Sequence, residues 1–509
     1  LNTVEAPFLA HQAHFLMGQV HERRRNYSSA YRAYQSAREL LEALRSNLHR
    51  EEIKIAFVEE RLEVYERLVN LCLARRTGAA TEEAFCYIEE AKSRSLREAV
   101  SRYGQPLPAR EVQRSEPLRR IHDLRKTLNW CYHRMELEQL NGDKRSIEHC
   151  LHLQELAQAR ERDLLKLLRE TPVADPRATE FYRPANAGLA EVRRALTPDA
   201  ALVEFFRVGP RFLAMVVTPE RCEIVRLARV SRIQESIALL RFQLSKFRLG
   251  ARYVALLHEP LLRTTQAHLH ELYRRLLAPL RHLLRARHLV FVPHGALHHL
   301  PFHALFDGQR YLIDSYSVSY APSASVLALC YRRTPNAAGP SLILGVPDPR
   351  APYILPEVRG VSSVLPNSEV FVGKNASEEI LRERGPSSSF IHIATHAYFR
   401  QDNPLFSGIR LGASYLTLLD LHGLNLPAQL VTLSGCATGM SAVAGGDELL
   451  GLVRGFLSAG SQSLLLGLWD VHDATTALLM KSFYSRLRDG QDRARALQGA
   501  MVELRQQYP

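Results

Sequence analysis

The sequence predicts a multidomain chain: an all-α N-terminal region of paired helices, then an α/β domain built on a mainly parallel sheet. Three observations carry that prediction. Small and aromatic residues recur at fixed offsets between Met17 and Ala91. From Ala201 to Leu468, short β-prone runs alternate with helical stretches. Two of those runs, Phe390-Ile-His-Ile-Ala-Thr-His396-Ala and Leu430-Val-Thr-Leu-Ser-Gly-Cys436-Ala-Thr-Gly439, stop at a reactive residue followed by small ones. Positions just past the carboxyl ends of parallel strands form the usual ligand crevice of such sheets.

The helical elements come first. Met17, Gly18, Ala30, Tyr34 and Ala37 have their counterparts in Cys72, Ala84, Ile88 and Ala91. Small residues at these offsets let paired helices pack closely, and stacked pairs bury a shared core. Between the two units, Ser46 to Leu68 is expected to form an elongated helix. Residues 1–115 are therefore assigned to helical repeats. Residues 116–171 are expected to form a helical hairpin, with Leu118, Ile121, Leu124 and Leu128 on one arm, a turn at Asn141-Gly142-Asp143, and Ile147, Leu151, Leu156 and Leu164 to Leu168 on the other. Proline-rich residues 172–188 read as a linker.

Residues 189–509 make the α/β domain. Ala201 to Phe206, Phe212 to Thr218 and Cys222 to Leu227 read as strands joined by tight turns, followed by helices over Val230 to Leu249 and Thr265 to Arg287. A core sheet, 288–509, is expected from His288 to Pro293, Ser317 to Tyr320, Ser341 to Gly345, Glu369 to Val372, Phe390 to Thr395, Gln429 to Ser434 and Ser461 to Leu468. An internal duplication into two halves, the first lacking the reactive pair, stays open. A further helix is expected to begin near Asp447.

The hydrophobic content of 46% is that of a globular protein. No uncharged apolar run approaches the ~20 residues of a membrane span, which argues against a membrane partner. Seven widely spaced cysteines without a CxxC pair favour reduced thiols and a cytoplasmic location. The net charge of +13 raises nucleic acid as a partner. Of the 66 basic residues 58 are Arg, scattered along the chain, so a solvated surface outweighs a dedicated nucleic-acid site. Direct binding of nucleic acid stays open.

A strand-end His and a strand-end Cys can form a nucleophile–base pair, in which the imidazole takes the thiol proton. A lone Cys is more often a small core residue. Gly435 before Cys436 favours catalysis, because it permits a tight turn, and Gly439, Gly445 and Gly446 keep the following loop lean. Ser434 is a weaker nucleophile candidate, and no GxSxG elbow is present. His392 alternates to the face of Ala394 and His396 and reads as a packed or hydrogen-bonded neighbour rather than the base. His294, His298, His299 and His303 raise a metal site, but Gly295 and Pro301 interrupt any helix that would pair them. The expectation is no metal and no cofactor.

The two segments resemble the catalytic motifs of the CHAT family, caspase-like cysteine peptidases found behind TPR repeats. Phe291-Val-Pro-His-Gly-Ala-Leu-His-His-Leu-Pro-Phe-His-Ala-Leu305 resembles the family turn ahead of the catalytic core. Gly446-Asp-Glu-Leu-Leu-Gly-Leu-Val-Arg-Gly-Phe-Leu457 resembles its helix after the Cys, and Gly467-Leu-Trp-Asp-Val-His-Asp473 its later strand end. The N-terminal offsets resemble TPR packing positions.

The resemblance implies a cysteine endopeptidase with Cys436 as nucleophile and His396 as base. Backbone N–H groups around Ala397, Gly435 and Cys436 would hold the oxyanion, and Asp447, Glu448, Asp470 and Asp473 are candidates for a pocket that accepts a basic side chain. Asp447 and Glu448 equally suit a helix N-terminus. Ala397 and Ala437 depart from the family pattern. The implied partners are a protein substrate and a regulatory protein or ribonucleoprotein on the helical region. A role in bacterial defence, control by a CRISPR effector, and a catalytically silent scaffold are the further functions it implies. Leu1 and the end at Tyr508-Pro509 lead to the expectation of a chain clipped at both ends.

Overall fold

The computed structural model describes residues 7–46, 62–101, 103, 116–141, 144–170, 186–347, 351–365, 367–400, 403–412, 414–421, 423–435, 442–444, 448–469 and 473–508. Helices α1 (Pro7–Arg23) and α2 (Tyr27–Ser46) form one pair, and α3 (Glu63–Arg75) and α4 (Gly78–Ala91) a second. Gly18 explains the closeness of the first pair, since a Cβ there would lie 2.5 Å from the Tyr34 ring. Ala30, Tyr34, Ala37, Cys72, Ala84 and Ile88 are all buried, whereas Met17 is exposed. The second pair is set by its turn: Arg76 is left-handed at φ 52° and the Thr77 hydroxyl accepts the Ala80 N–H at 3.1 Å. Of the elongated helix expected over Ser46 to Leu68, residues 47–61 lie outside the described residues, and α3 starts at Glu63.

Helix α5 (Arg94–Ser101) follows, then the long hairpin of α6 (Glu116–Asn141) and α7 (Lys144–Glu170). Its expected turn residues Gly142 and Asp143 lie outside the described residues. The buried stripe of α7 differs from the expected one. Ile147 and Leu151 are more than half exposed, and Ser146, Leu153, Ala157, Glu161 and Leu164 face inward. The stripes coincide again toward the C-terminal end, where Leu164 is buried and Leu156, Leu165 and Leu167 pack against the same core.

Beyond α8 (Leu189–Ala195), the strands form two five-stranded sheets rather than one core sheet of seven. In the first, β1 (Ala200–Val208), β2 (Arg211–Val217) and β3 (Cys222–Arg229) make an antiparallel meander. Strands β4 (His288–Val292) and β5 (Ser317–Tyr320) then add in parallel, giving the order β3-β2-β1-β4-β5. The expected core therefore loses its first two strands, because β4 finds its partner in β1. Helices α9 (Val230–Ser245), α10 (Ala251–Leu256) and α11 (His258–Leu276) lie between β3 and β4, so the second helical stretch begins earlier than Thr265 and ends before Arg287.

The first sheet is buried on both faces. Ala201, Val203, Phe205 and Phe291 pack with Ile233, Ile237, Leu269 and Leu272 of α9 and α11. Leu202, Phe206, Val290 and Val292 face the other way and share a core with Tyr34, Leu68, Cys72, Ala84 and Ile88. The repeat helices thus supply the second covering layer of this sheet. Lys92 is fully buried at that junction. Its ammonium donates to the carbonyls of Phe205 and Pro293, each at 2.8 Å, and lies 3.5 Å from Glu204 Oε1. Nearby, Glu89 accepts the N–H groups of Ala324 and Ser325 at 3.0 and 2.6 Å, at the start of α12 (Ala324–Arg332).

The second sheet is wholly parallel. It comprises β6 (Ser341–Gly345), β7 (Ser368–Val372), β8 (Phe390–Ala394), β12 (Leu430–Ser434) and β15 (Leu464–Leu466), in the order β15-β12-β8-β6-β7. Helices α13 (Ile354–Ser362), α14 (Glu378–Arg384), α15 (Leu418–Leu421), α16 (Leu452–Ser458), α17 (Asp473–Arg488) and α18 (Arg493–Gln507) accompany it. Between β8 and β12 lies a small antiparallel sheet of β9 (Ala397–Tyr398), β10 (Gly408–Leu411) and β11 (Ser414–Thr417). After β12, β13 (Ala442–Ala444) pairs with β14 (Glu448–Leu450). Among the described residues, no helix is long and apolar enough to cross a membrane.

Replacing Lys92 by Met strands two carbonyls that have no route to water. Lys92→Met is expected to lower unfolding free energy by about 3–5 kcal/mol in urea titration, the range for removing one partner of a buried charged network.

Candidate functional site

The site starts from the pairing of β8 with β12. Their register matches Phe390 with Leu430 and Ala394 with Ser434. The ladder runs one residue further, where the Thr395 N–H donates to the Ser434 carbonyl at 3.0 Å. His396 and Gly435 are therefore the next residues on two adjacent parallel strands, at the carboxyl edge of the sheet. Both are half-buried. Cys436 lies outside the described residues, as do Asp447 and Asp470. What the structure fixes is the approach to the cysteine, through Gly435.

His396 is held by its main chain. Its carbonyl accepts the Arg410 N–H at 3.0 Å, and the Thr395 hydroxyl donates to the Arg410 carbonyl at 2.8 Å. The first of these bonds makes Ala397 and Ile409 a non-hydrogen-bonded antiparallel pair. The Ala397 N–H consequently points away from β10, toward the open side of β9. This residue was expected among the oxyanion donors, and its amide is not consumed by the ladder.

The other expected residues separate. Glu448 sits on β14, not in a helix, because Glu448-Leu449-Leu450 pairs with Ala442-Val443-Ala444; its side chain lies outside the described residues. The helix expected near Asp447 begins at Leu452, and the helix-terminus reading of Glu448 falls with it. Asp473 opens α17, and its carboxylate accepts the Tyr353 N–H at 2.7 Å just ahead of α13. That bond ties the start of α17 to the segment ahead of α13.

The histidine-rich turn after β4 is packed. The His294 ring meets Phe206 and Phe212 edge-on, with centroids 5.2 and 6.1 Å away. His303 lies 3.3 Å from the Tyr320 hydroxyl and stacks on Trp469. Burial pushes the His299 imidazole down to about 4, so it is neutral at pH 7. Among the described residues, no three His, Cys, Asp or Glu side chains converge on a point that could hold a metal.

Two contacts around His396 were not anticipated from the sequence, a docked hairpin and the partner of His392. First, the α6–α7 hairpin docks on the β9–β11 sheet. Ile121, Leu128, Cys131, Tyr132, Ala157 and Leu164 share a core with Phe406 and Tyr415. Arg400, four residues beyond His396, forms a salt bridge with Glu161 on α7, and Tyr132 donates to the same carboxylate at 2.5 Å. Arg125 on α6 pairs with Asp420 at 2.8 Å. Second, His392 is fully buried beneath the sheet edge, 3.0 Å from Glu357. Contacts between residues more than two hundred positions apart leave no trace in local patterning.

Arg400→Met leaves the buried Glu161 carboxylate with the Tyr132 hydroxyl as its remaining partner here. It should cost about 1.5–3 kcal/mol in urea unfolding, the worth of a charged hydrogen bond. A cycle with Glu161→Gln should give a coupling of about 1 kcal/mol or more.

Comparisons with known proteins found the following similarities. Residues 266–509 match the CHAT domain family model. Tetratricopeptide repeat protein 28 from Mus musculus is 26% identical, over 46% of this chain and 12% of that protein. The Homo sapiens protein of the same name gives the same figures. The chain thus spans about an eighth of the length of these relatives. The crystal structure of the Saccharomyces cerevisiae separase–securin complex aligns with a TM-score of 0.44 at 11% identity, covering 98% of this chain and 46% of that one.

Proposed function

With residues 266–509 belonging to the CHAT domain family, we propose that the chain is a cysteine endopeptidase that cleaves protein substrates with Cys436 and His396. The observation that carries the reading is the register of β8 and β12, which brings the residues after Ala394 and Ser434 to one sheet edge. In this reading His396 takes the Cys436 proton, and the thiolate attacks the scissile carbonyl. The N–H groups of Ala397 and Cys436 stabilise the tetrahedral oxyanion. Its collapse breaks the C–N bond, and His396 returns the proton to the leaving amine. Water then hydrolyses the thioester, with His396 as base, and frees the acid product and the thiol.

The helical region regulates this site through a partner protein or ribonucleoprotein. Arg400 gives that control a physical route, because α7 holds the segment just past the base through Glu161. A fragment cut at residue 190 is a poor test, since it bares the apolar face of Leu202, Phe206 and Val290. Point changes at the hairpin contact leave that core intact.

A proteome-wide profile of new N-termini tests the activity. Cleavages made by the wild type should fall by about two to four orders of magnitude in Cys436→Ala and His396→Ala, the scale of a lost acid–base catalyst. A profile unchanged in Cys436→Ala contradicts the peptidase reading and favours a silent scaffold. Glu161→Ala should raise basal cleavage about fivefold or more, the lower range of allosteric coupling. An unchanged or lower rate argues against control through the hairpin.

A further inference from the structure

Beneath the proposed dyad, a chain of side chains crosses from one helix to the other through both strands. His392 on β8 and Thr432 on β12 are register partners, side by side on the same face. Tyr484 on α17 reaches both. Its hydroxyl donates to Thr432 Oγ1 at 2.7 Å and lies 3.3 Å from His392 Nδ1. Tyr484 therefore bridges the two strands through one hydroxyl. The other ring nitrogen, Nε2, faces Glu357 Oε1 of α13 at 3.0 Å. Glu357, His392, Thr432 and Tyr484 are all buried, with exposures of 2%, 0%, 0% and 0%.

The position of this chain along the strands is what gives it a function. His396 lies four residues past His392, and Cys436 four residues past Thr432. We propose that Glu357, His392, Tyr484 and Thr432 are positioning residues that lock the shear between β8 and β12 and thereby aim the dyad. The proposal rests on the reading of His396 and Cys436 as base and nucleophile. A one-residue slip of either strand would turn its polar side chain to the opposite face. Tyr484 would then lose a partner in a layer formed by Ile343, Val358, Met480 and Phe483, out of reach of water. The backbone ladder tolerates small shear and fraying at its tip. The side-chain bridge removes that freedom four residues before His396, about 13 Å at strand rise. The helices on either end are themselves joined, since Asp473 of α17 holds the Tyr353 N–H ahead of α13.

The test is iodoacetamide alkylation of Cys436 in the full chain, followed by peptide mass spectrometry across a pH series. Tyr484→Phe keeps the ring and removes the hydroxyl, and Thr432→Val keeps the volume and removes the acceptor. Each is expected to slow alkylation at neutral pH by about ten- to a hundredfold, the penalty of a misplaced reacting group. Each should also move the pH midpoint toward that of His396→Ala. Thr432→Ser should restore both, a rescue that loss of packing alone would not give. Unchanged rates and midpoints in both variants, with a large effect of His396→Ala, would overturn the positioning role and leave the dyad standing. Equal alkylation in the wild type and His396→Ala would overturn the dyad, and this role with it.

Discussion

The parallel pairing of β8 with β12 is the constraint on which the rest depends. Both strands lie inside the sheet, flanked by β6 and β15, so their order cannot change without opening the core. Parallel neighbours also end at the same edge, where main-chain groups are released from the ladder. His396 and Gly435 stand at that edge, with β9 continuing from one and the segment of Cys436 from the other. The chemistry of the site follows from this placement more than from any residue in it.

The helical region packs onto the α/β part of the molecule at three places. Its repeats cover one face of the first sheet, and the ammonium of Lys92 closes that seam at the carbonyls of Phe205 and Pro293. Helix α5 carries Leu96 and Val100 against Leu457 of α16. Its hairpin grips the small β9–β11 sheet that grows out of the base. A load applied to the helices therefore has packed paths toward the strand tips through α16 and through the β9–β11 sheet. Such coupling needs no disordered lid, because packed interfaces switch between discrete arrangements.

Much of this was legible in the chain. The strand runs from Ala201 onward and the paired helices appear where period and composition place them, because buried parallel strands read as unbroken apolar runs. What was hidden had a different physical origin. The split into two sheets depends on β4 choosing β1, a pairing across 88 residues that no local pattern encodes. The buried stripe of α7 uses Ser146, Ala157 and Glu161, and hydrophobicity points instead to Ile147 and Leu151. Glu448 looks like a helix-start acid but pairs as a strand because Ala442 to Ala444 lie opposite. The His392–Glu357–Tyr484 chain joins residues from three separate stretches, of which His392 alone stood out.

The most direct test of the central claim is covalent capture at the strand tip. A peptidyl acyloxymethyl ketone with a basic residue next to the warhead is incubated with the full chain, and the adduct is located by mass spectrometry. The account predicts a stoichiometric adduct on Cys436 that disappears in His396→Ala, while Cys72, Cys86 and Cys222 remain unmodified. An adduct absent from Cys436, or equally formed without His396, would contradict it.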